Sequence, residues 1–175
     1  IGKLITARTT DELVENLKET EYYAPLKKIK DTDNVTLYDY NLALDLYYYT
    51  STWKEQKKIL KKSDLELFMR DRGSKIDLLN IQWIYRAKKY YNMKPADIYL
   101  MLIPIHYKLS TELVKDMVEA PGVEEFENVV IRTTYARHYN FKQNLTMEQM
   151  YADCLHHLYT ADRRKNPYSV SAINT

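Results

Sequence analysis

The sequence predicts an all-α protein built from repeated helical-bundle units. The chain of 175 residues contains only 3 glycines and 5 prolines, so few residues that favour turns are present. No segment shows a convincing two-residue alternation of apolar and polar side chains, which is the pattern of a half-buried strand. Several segments carry apolar residues at helical spacing instead. Long helices joined by short connections are therefore expected.

The composition is that of a folded protein and excludes several classes. Hydrophobic residues make up 45% and charged residues 29%, which argues against disorder. A net charge of +2 is too small to imply a nucleic-acid partner. The single cysteine, Cys154, excludes an internal disulfide and suits a reducing compartment. The most apolar run, residues 98–105, is too short for a membrane helix. We therefore expect no transmembrane segment, although the chain could lie against a membrane.

The first helices are marked by their start signals. Residues 9–12, Thr-Thr-Asp-Glu, form a capping-box pattern in which Thr9 is the N-cap and Glu12 reaches back. Residues 27–33 are predicted to be a polar connection, and Thr36 is predicted to open the next helix.

A long helix is predicted from Trp53 to Arg72, with Gly73 ending it. The lysines in this segment form either a solvated face or, less often in proteins, a basic contact patch. They are Lys54, Lys57, Lys58, Lys61 and Lys62.

The central element of the prediction is a helix over residues 74–92. Its apolar residues recur at helical spacing and form a wide stripe, so we expect neighbours on more than one side. They are Ile76, Leu79, Ile81, Trp83, Ile84, Ala87 and Tyr91. Asp77, Asn80 and Arg86 lie among them, where a polar group is costly unless it is paired. These three residues are predicted to be structural anchors that fix the helix in place, not catalytic groups.

The rest of the chain is predicted to be helical as well. Pro95 is well placed as a first helical residue, and residues 109–112 start a further helix. Another helix follows around residues 123–130. The last clear helix covers residues 146–160, with an apolar side that includes Cys154 and Leu158.

Self-comparison indicates an internal repeat. Residues 4–22 match residues 117–135, and residues 34–37 match residues 144–147 in a slightly shifted register. The period is roughly 110 residues. The prediction is one near-complete unit, residues 1–104, and a truncated second unit, residues 105–175.

On this interpretation the chain is a fragment, and the second unit's copy of the central helix is missing. We therefore expect an exposed apolar surface at the residues that this copy would cover. They are Phe126, Val130, Cys154 and Leu158.

Candidate chemistry is sparse. Cys154, His156 and His157 share one predicted helix, with His138 upstream, and such residues can bind zinc. Adjacent histidines on a helix point apart, however, so ordinary helix residues are favoured over a metal-dependent enzyme. Three isolated glycines cannot build a phosphate-binding loop. We predict no catalytic residue, no metal site and no cofactor.

Residues 73–81, Gly-Ser-Lys-Ile-Asp-Leu-Leu-Asn-Ile, followed by Arg86-Ala-Lys88, carry a family resemblance. They resemble the glycine, Asp-Leu-Leu-Asn and Arg-x-Lys pattern of the C subunit of vacuolar-type and archaeal-type ATPases, known as the d subunit in eukaryotes. Later segments are similar to that family too, namely Leu102-Ile103-Pro104, Leu109-Ser110, Ala120, Glu125, Thr133-x-Tyr135 and residues 166–170. Ile105-His106 departs from the family, which has glycines after the proline.

The resemblance implies a funnel of three helical-bundle domains in a longer, cytoplasmic protein that is peripheral on the membrane. It implies a non-catalytic subunit, with the central rotor stalk and the membrane proteolipid ring as partners, that couples rotation to ion transport. Asp77, Asn80 and Arg86 match the family motif and carry over as structural anchors only. The alternative from the residues alone is a helical-repeat adaptor that binds a protein through tyrosine-rich faces, since the chain contains 17 tyrosines.

Overall fold

A computed structural model describes residues 5–32, 34–138 and 146–165. These residues form α-helices and one 3-10 helix and no strand, which confirms the all-α class. The helices are α1 (Thr10–Asn16), α2 (Tyr23–Lys30), α3 (Leu37–Ile59), α4 (Lys62–Tyr91), α5 (Pro95–Met101), α6 (Thr111–Glu119), α7 (Val123–Val130), the 3-10 helix (Thr134–His138) and α8 (Met147–Lys165).

Among the described residues, no helix combines the length and the hydropathy needed to cross a bilayer. Three sequence-based expectations fall outside the described part. They are the repeat matches at Leu4 and Asn144, the family-like residues 166–170, and the side chain of His138.

The chain divides into two compact units, Ile1–Glu55 and Gln56–Thr175. This division does not coincide with the boundary between residues 104 and 105, which was drawn from the internal repeat. In the second unit, α4 packs on α6, α7 and α8, so segments on both sides of residue 104 share one core. The repeat itself stays a prediction.

Within the first unit, the start of α1 is the one expected. The Thr9 hydroxyl accepts a hydrogen bond from Glu12 N at 3.2 Å. The Glu12 carboxylate reaches back and accepts one from Arg8 N at 2.8 Å. The capping interaction of Thr9 is thereby confirmed, with the returning bond placed one residue earlier than in the standard capping box.

The predicted polar connection at residues 27–33 is wrong in its first half, because α2 continues to Lys30. Leu26 is buried in this helix, and basic side chains in its last turn, among them Lys30, favour the helix dipole. A lysine-rich helix end and a polar loop have the same composition, so the sequence alone did not separate them.

Gly73 does not end a helix, and this prediction is also wrong. The chain breaks earlier, at Leu60 and Lys61, and α4 then runs without interruption from Lys62 to Tyr91. A Cβ atom added at Gly73 would lie 2.6 Å from Cγ of Tyr107. A helical glycine costs about 1 kcal/mol relative to alanine, and here it makes room for the ring of Tyr107.

The buried face of α4 differs from the predicted stripe. Tyr91 is 65% exposed and Trp83 is only half-buried. The face that enters the core includes Leu78, Ile81, Ile84 and Tyr85 together with Asp77 and Asn80. The other members of this core include Ile98, Met117, Val118, Phe126, Val130, Met147 and Met150.

The expected exposed surface is wrong at Phe126 and Val130, both of which are fully buried. The ring of Phe126 lies 6.1 Å from that of Tyr85 on α4. The helix that was predicted to belong to the first repeat unit therefore covers α7 itself. Cys154 and Leu158 on α8 are half-buried.

The remaining helix starts agree with the sequence. Pro95 stands at the start of α5, and the Ser110 hydroxyl caps α6 by accepting from Leu113 N at 3.2 Å. The apolar side predicted for the last helix packs on α4, with Met147 and Met150 buried.

Candidate functional site

The carboxylate of Asp77 is fully buried and accepts four hydrogen bonds. Its Oδ1 accepts from Tyr107 N at 3.0 Å. Its Oδ2 accepts from Lys108 N at 2.6 Å, from Leu109 N at 3.2 Å and from the Tyr135 hydroxyl at 2.7 Å. One side chain on α4 thus holds a loop 30 residues downstream and the 3-10 helix 58 residues downstream.

A carboxylate is suited to this arrangement because it can accept from all four donors. Four neutral groups, three backbone N–H and one phenol, all point at the oxygens of Asp77. An ionised carboxylate has acceptor sites on both oxygens and no hydrogen to clash with them. A buried charge is tolerated when several donors are directed at it.

Tyr135 is the most distant of these donors along the chain. Burial and the adjacent negative charge of Asp77 raise the pKa of its phenol, so Tyr135 keeps its proton and remains a donor. Its backbone carbonyl accepts a weak hydrogen bond from the Cys154 thiol at 3.6 Å. Burial raises the pKa of Cys154 to about 11, so this thiol is a poor nucleophile at neutral pH.

Asn80, one helical turn beyond Asp77, makes a two-point contact with one residue. Its Nδ2 donates to Ile103 O at 3.0 Å, and its Oδ1 accepts from Ile103 N at 3.0 Å. The amide therefore satisfies both backbone groups of a buried residue outside any helix. Together, Asp77 and Asn80 fasten both halves of the 102–110 segment, which joins α5 to α6, onto α4.

Lys88 fixes the far end of α6. Its Nζ donates to Val118 O at 2.7 Å and to Ala120 O at 2.6 Å. These carbonyls lie at the C-terminus of α6, where the helix dipole favours a cation. Burial lowers the pKa of Lys88.

The structure brings two of the three predicted residues together and separates the third. Asp77 and Asn80 are completely buried, whereas Arg86 is exposed on α4. The expectation that Arg86 lies among apolar neighbours is therefore wrong, because the buried face of α4 is rotated away from it.

Three residues of the site were not assigned from the sequence. Lys88 lies inside the motif that carried the family resemblance, and Tyr135 lies in a later family-like segment. Gly73 opens that same motif, but the only structural role predicted for it is that of a helix breaker. A contact between Asp77 and Tyr135 leaves no mark on local periodicity, since it joins residues 58 positions apart.

The candidate metal ligands do not converge. His156 and His157 are exposed and Cys154 is half-buried, and the two imidazole rings have centroids 6.4 Å apart. In the part of the chain that the structure describes, no three histidine, cysteine or acidic side chains form a metal-binding group.

The hydrogen bonds of Asp77, Asn80 and Lys88 all join parts of the same chain. They fix the position of the 102–110 segment and of α6 relative to α4. The arrangement is suited to stiffening the second unit.

Comparison with known proteins identifies the family of the chain. The model of the ATP synthase (C/AC39) subunit family matches residues 1–175. The C subunit of the A-type ATP synthase of Methanosarcina mazei is 31% identical over 135 residues, which cover 77% of this chain and 35% of that protein. The proteins of the same name from Methanosarcina barkeri and Methanosarcina acetivorans are 29% and 28% identical over 135 residues, with the same coverage of both chains.

The matched part of this chain thus spans about a third of the length of these curated relatives. No solved structure matches the chain at a significant level. The family match over all 175 residues agrees with the resemblance seen in residues 73–88, and the chain therefore belongs to the ATP synthase (C/AC39) subunit family, the C subunits of the A/V-type rotary ATPases.

Proposed function

We propose that the chain belongs to a non-catalytic coupling protein that links the central rotor stalk of a rotary ATPase to the membrane proteolipid ring. The observation that carries this proposal is the family match over the whole chain. In this role the protein transmits rotation and supports ion transport without a nucleotide site, catalytic residue or cofactor of its own. Its place is the cytoplasmic side of the membrane, as a peripheral subunit.

The packing of the second unit supports the proposal because a coupling element has to carry torque without deforming. The hydrophobic effect that holds apolar helix faces together is non-directional, so it does not by itself define the register of one helix against another. The bonds of Asp77 and Asn80 are directional and lie within one helical turn. Lys88 adds a third attachment, at the end of α6.

The test is purification of the tagged protein from its own cells under conditions that keep rotary ATPases intact. Mass spectrometry of the purified material is expected to find stalk subunits and the proteolipid. A complex from which both are cleanly absent would overturn the proposal. Recovery of an unrelated regulatory partner instead would favour the helical-repeat adaptor.

A second experiment tests the mechanical part of the proposal. The double variant Asp77→Ala/Asn80→Ala is expected to assemble less well, or to let ATP hydrolysis proceed with less ion pumping. The exposed Asp45→Ala variant serves as the matched control, because Asp45 lies outside the buried core. If both variants pump the same number of ions for each ATP hydrolysed, the proposed role of these contacts is refuted.

A further inference from the structure

The turn between α3 and α4 has an unusual composition. Residues 57–62 read Lys-Lys-Ile-Leu-Lys-Lys, and we call them the lysine turn. All four lysines are exposed, and the side chain of Ile59 between them is 72% exposed. An apolar side chain is thus displayed at the surface with a pair of cations on either side.

The charge of the lysine turn stands out against the rest of the chain. It holds four lysines and no acidic residue, whereas the whole chain has a formal net charge of only +2. The remainder of the chain is therefore negative on balance, and Glu55 and Asp64 lie just outside the turn. The positive charge is concentrated, not spread over the surface.

Helix stability accounts for the first lysine pair but not for the second. Lys57 and Lys58 lie in the last turn of α3, where cations favour the helix dipole. Lys61 is the N-cap of α4 and makes no side-chain capping bond, and Lys62 is the first helical residue. A cation at a helix N-terminus is repelled by the dipole, and N-caps prefer serine, threonine, aspartate or asparagine.

The exposed Ile59 favours an anionic lipid surface over a nucleic acid as the partner of this cluster. A nucleic acid would use the lysines, but its phosphate backbone offers nothing to a central isoleucine. The surface of an anionic bilayer accepts both, because charged headgroups lie directly above the acyl boundary. We propose that the lysine turn contacts an anionic lipid surface, with its lysines at the headgroups and Ile59 at the acyl boundary.

This proposal goes beyond the coupling function, which needs only protein partners at the membrane. It is tested with the chain and lipid alone, so its failure leaves the coupling proposal standing. Conversely, loss of the stalk and ring partners in the purification above would not change the result with vesicles.

The test is co-sedimentation of the chain with vesicles of phosphatidylcholine and with vesicles that also contain phosphatidylglycerol. Binding is expected to the anionic vesicles only and to weaken as salt is added. Each lysine near an anionic surface contributes about fivefold in affinity. Replacing all four with glutamine is therefore expected to weaken binding by about two orders of magnitude or more, and Ile59→Ser by about tenfold.

The matched control removes the same charge elsewhere. The variant Lys18→Gln/Lys28→Gln/Lys94→Gln/Lys115→Gln changes four exposed lysines outside the turn and is expected to bind nearly as wild type. In the turn variant, the loss of cations at the N-terminus of α4 offsets the loss of Lys57 and Lys58 from the last turn of α3. The variant is therefore expected to fold, and circular dichroism checks this. The salt dependence of the unmodified chain provides a test that needs no variant.

Three outcomes would overturn the proposal. They are equal binding to neutral and anionic vesicles, equal loss in the turn and control variants, and tighter binding to a DNA duplex than to anionic vesicles. The last outcome would assign the lysine turn to a nucleic acid instead.

Discussion

Replacing Asp77 gives the sharpest test of how α4 holds the 102–110 segment. In Asp77→Ala, two of the four donors become buried without an acceptor, namely Leu109 N–H and the Tyr135 hydroxyl, whose residues are 3% and 7% exposed. The other two donors belong to Tyr107, which is half-buried, and Lys108, which is exposed, so water can reach them.

The magnitude follows from these exposures. A buried donor left without a partner costs about 1–3 kcal/mol, so two of them cost about 2–6 kcal/mol. Removing a buried charge returns part of this cost. The expected loss in the free energy of unfolding is therefore about 3 kcal/mol for Asp77→Ala.

Asp77→Asn is expected to cost less, about 1–2 kcal/mol. Its amide oxygen can occupy the Oδ2 position and keep three donors, while its NH₂ group then faces Tyr107 N–H, where a donor meets a donor. Tyr135→Phe removes one hydrogen bond to a charged group and is expected to cost about 2 kcal/mol.

The assay is urea unfolding followed by circular dichroism, combined with hydrogen exchange at the amides of residues 107–109. The exposed Asp45→Ala variant is the control and should change stability by less than about 0.5 kcal/mol. If Asp77→Ala unfolds at the same urea concentration as the control and keeps the three amides protected, the anchoring argument is refuted.

Four further outcomes are expected. Gly73→Ala should lower the free energy of unfolding in urea by about 1–3 kcal/mol, because the added Cβ would clash with Tyr107. This loss is expected although alanine has the better helix propensity. A neutral or stabilising result would show that the ring of Tyr107 moves aside. Lys88→Met should lower stability by about 1–2 kcal/mol and speed amide exchange at the end of α6, and unchanged exchange there would count against its role. A disulfide reagent at pH 8 should modify Cys154 up to about 100-fold more slowly than an exposed thiol. The exposed thiol is supplied by Ala152→Cys in a Cys154→Ala background, because Ala152 is exposed in the interior of α8. Folding raises the pKa of Cys154 from 9.0 to about 11, so between these pH values the folded chain holds a proton that the unfolded chain releases. The free energy of unfolding should therefore fall as the pH rises from about 9 to about 11. A free energy of unfolding that does not change over this pH range, together with equal modification rates for the two thiols, would contradict this.

Local signals in the sequence gave the helices and their starts. Thr9, Pro95 and Ser110 act where the sequence places them because capping depends on a few adjacent residues. Asp77 and Asn80 were expected to be paired because a polar group in an apolar stripe needs a partner. The identity of those partners depended on tertiary structure, which periodicity does not encode.

The errors have the same physical origin. Gly73 signals a break when only its own helix is considered, and its role becomes clear only when Tyr107 arrives from another segment. Arg86 was grouped with Asp77 because periodicity cannot fix the orientation of a helix that is apolar on several sides. Phe126 was expected at the surface because a separate copy of α4 was assumed to cover it.

The polar residues of α4 therefore define the register of the helix more sharply than its apolar residues do. The hydrophobic effect that favours burial of side chains such as Leu78 and Ile84 is non-directional, so it does not by itself define how far α4 is shifted along its neighbours. A shift of that kind would break the paired bonds of Asn80 and Ile103, which require both distances to stay at 3.0 Å. It would also leave buried donors around Asp77 without an acceptor. Directional bonds at these two positions thus fix the register of α4 against the 102–110 segment, and burial supplies the adhesion.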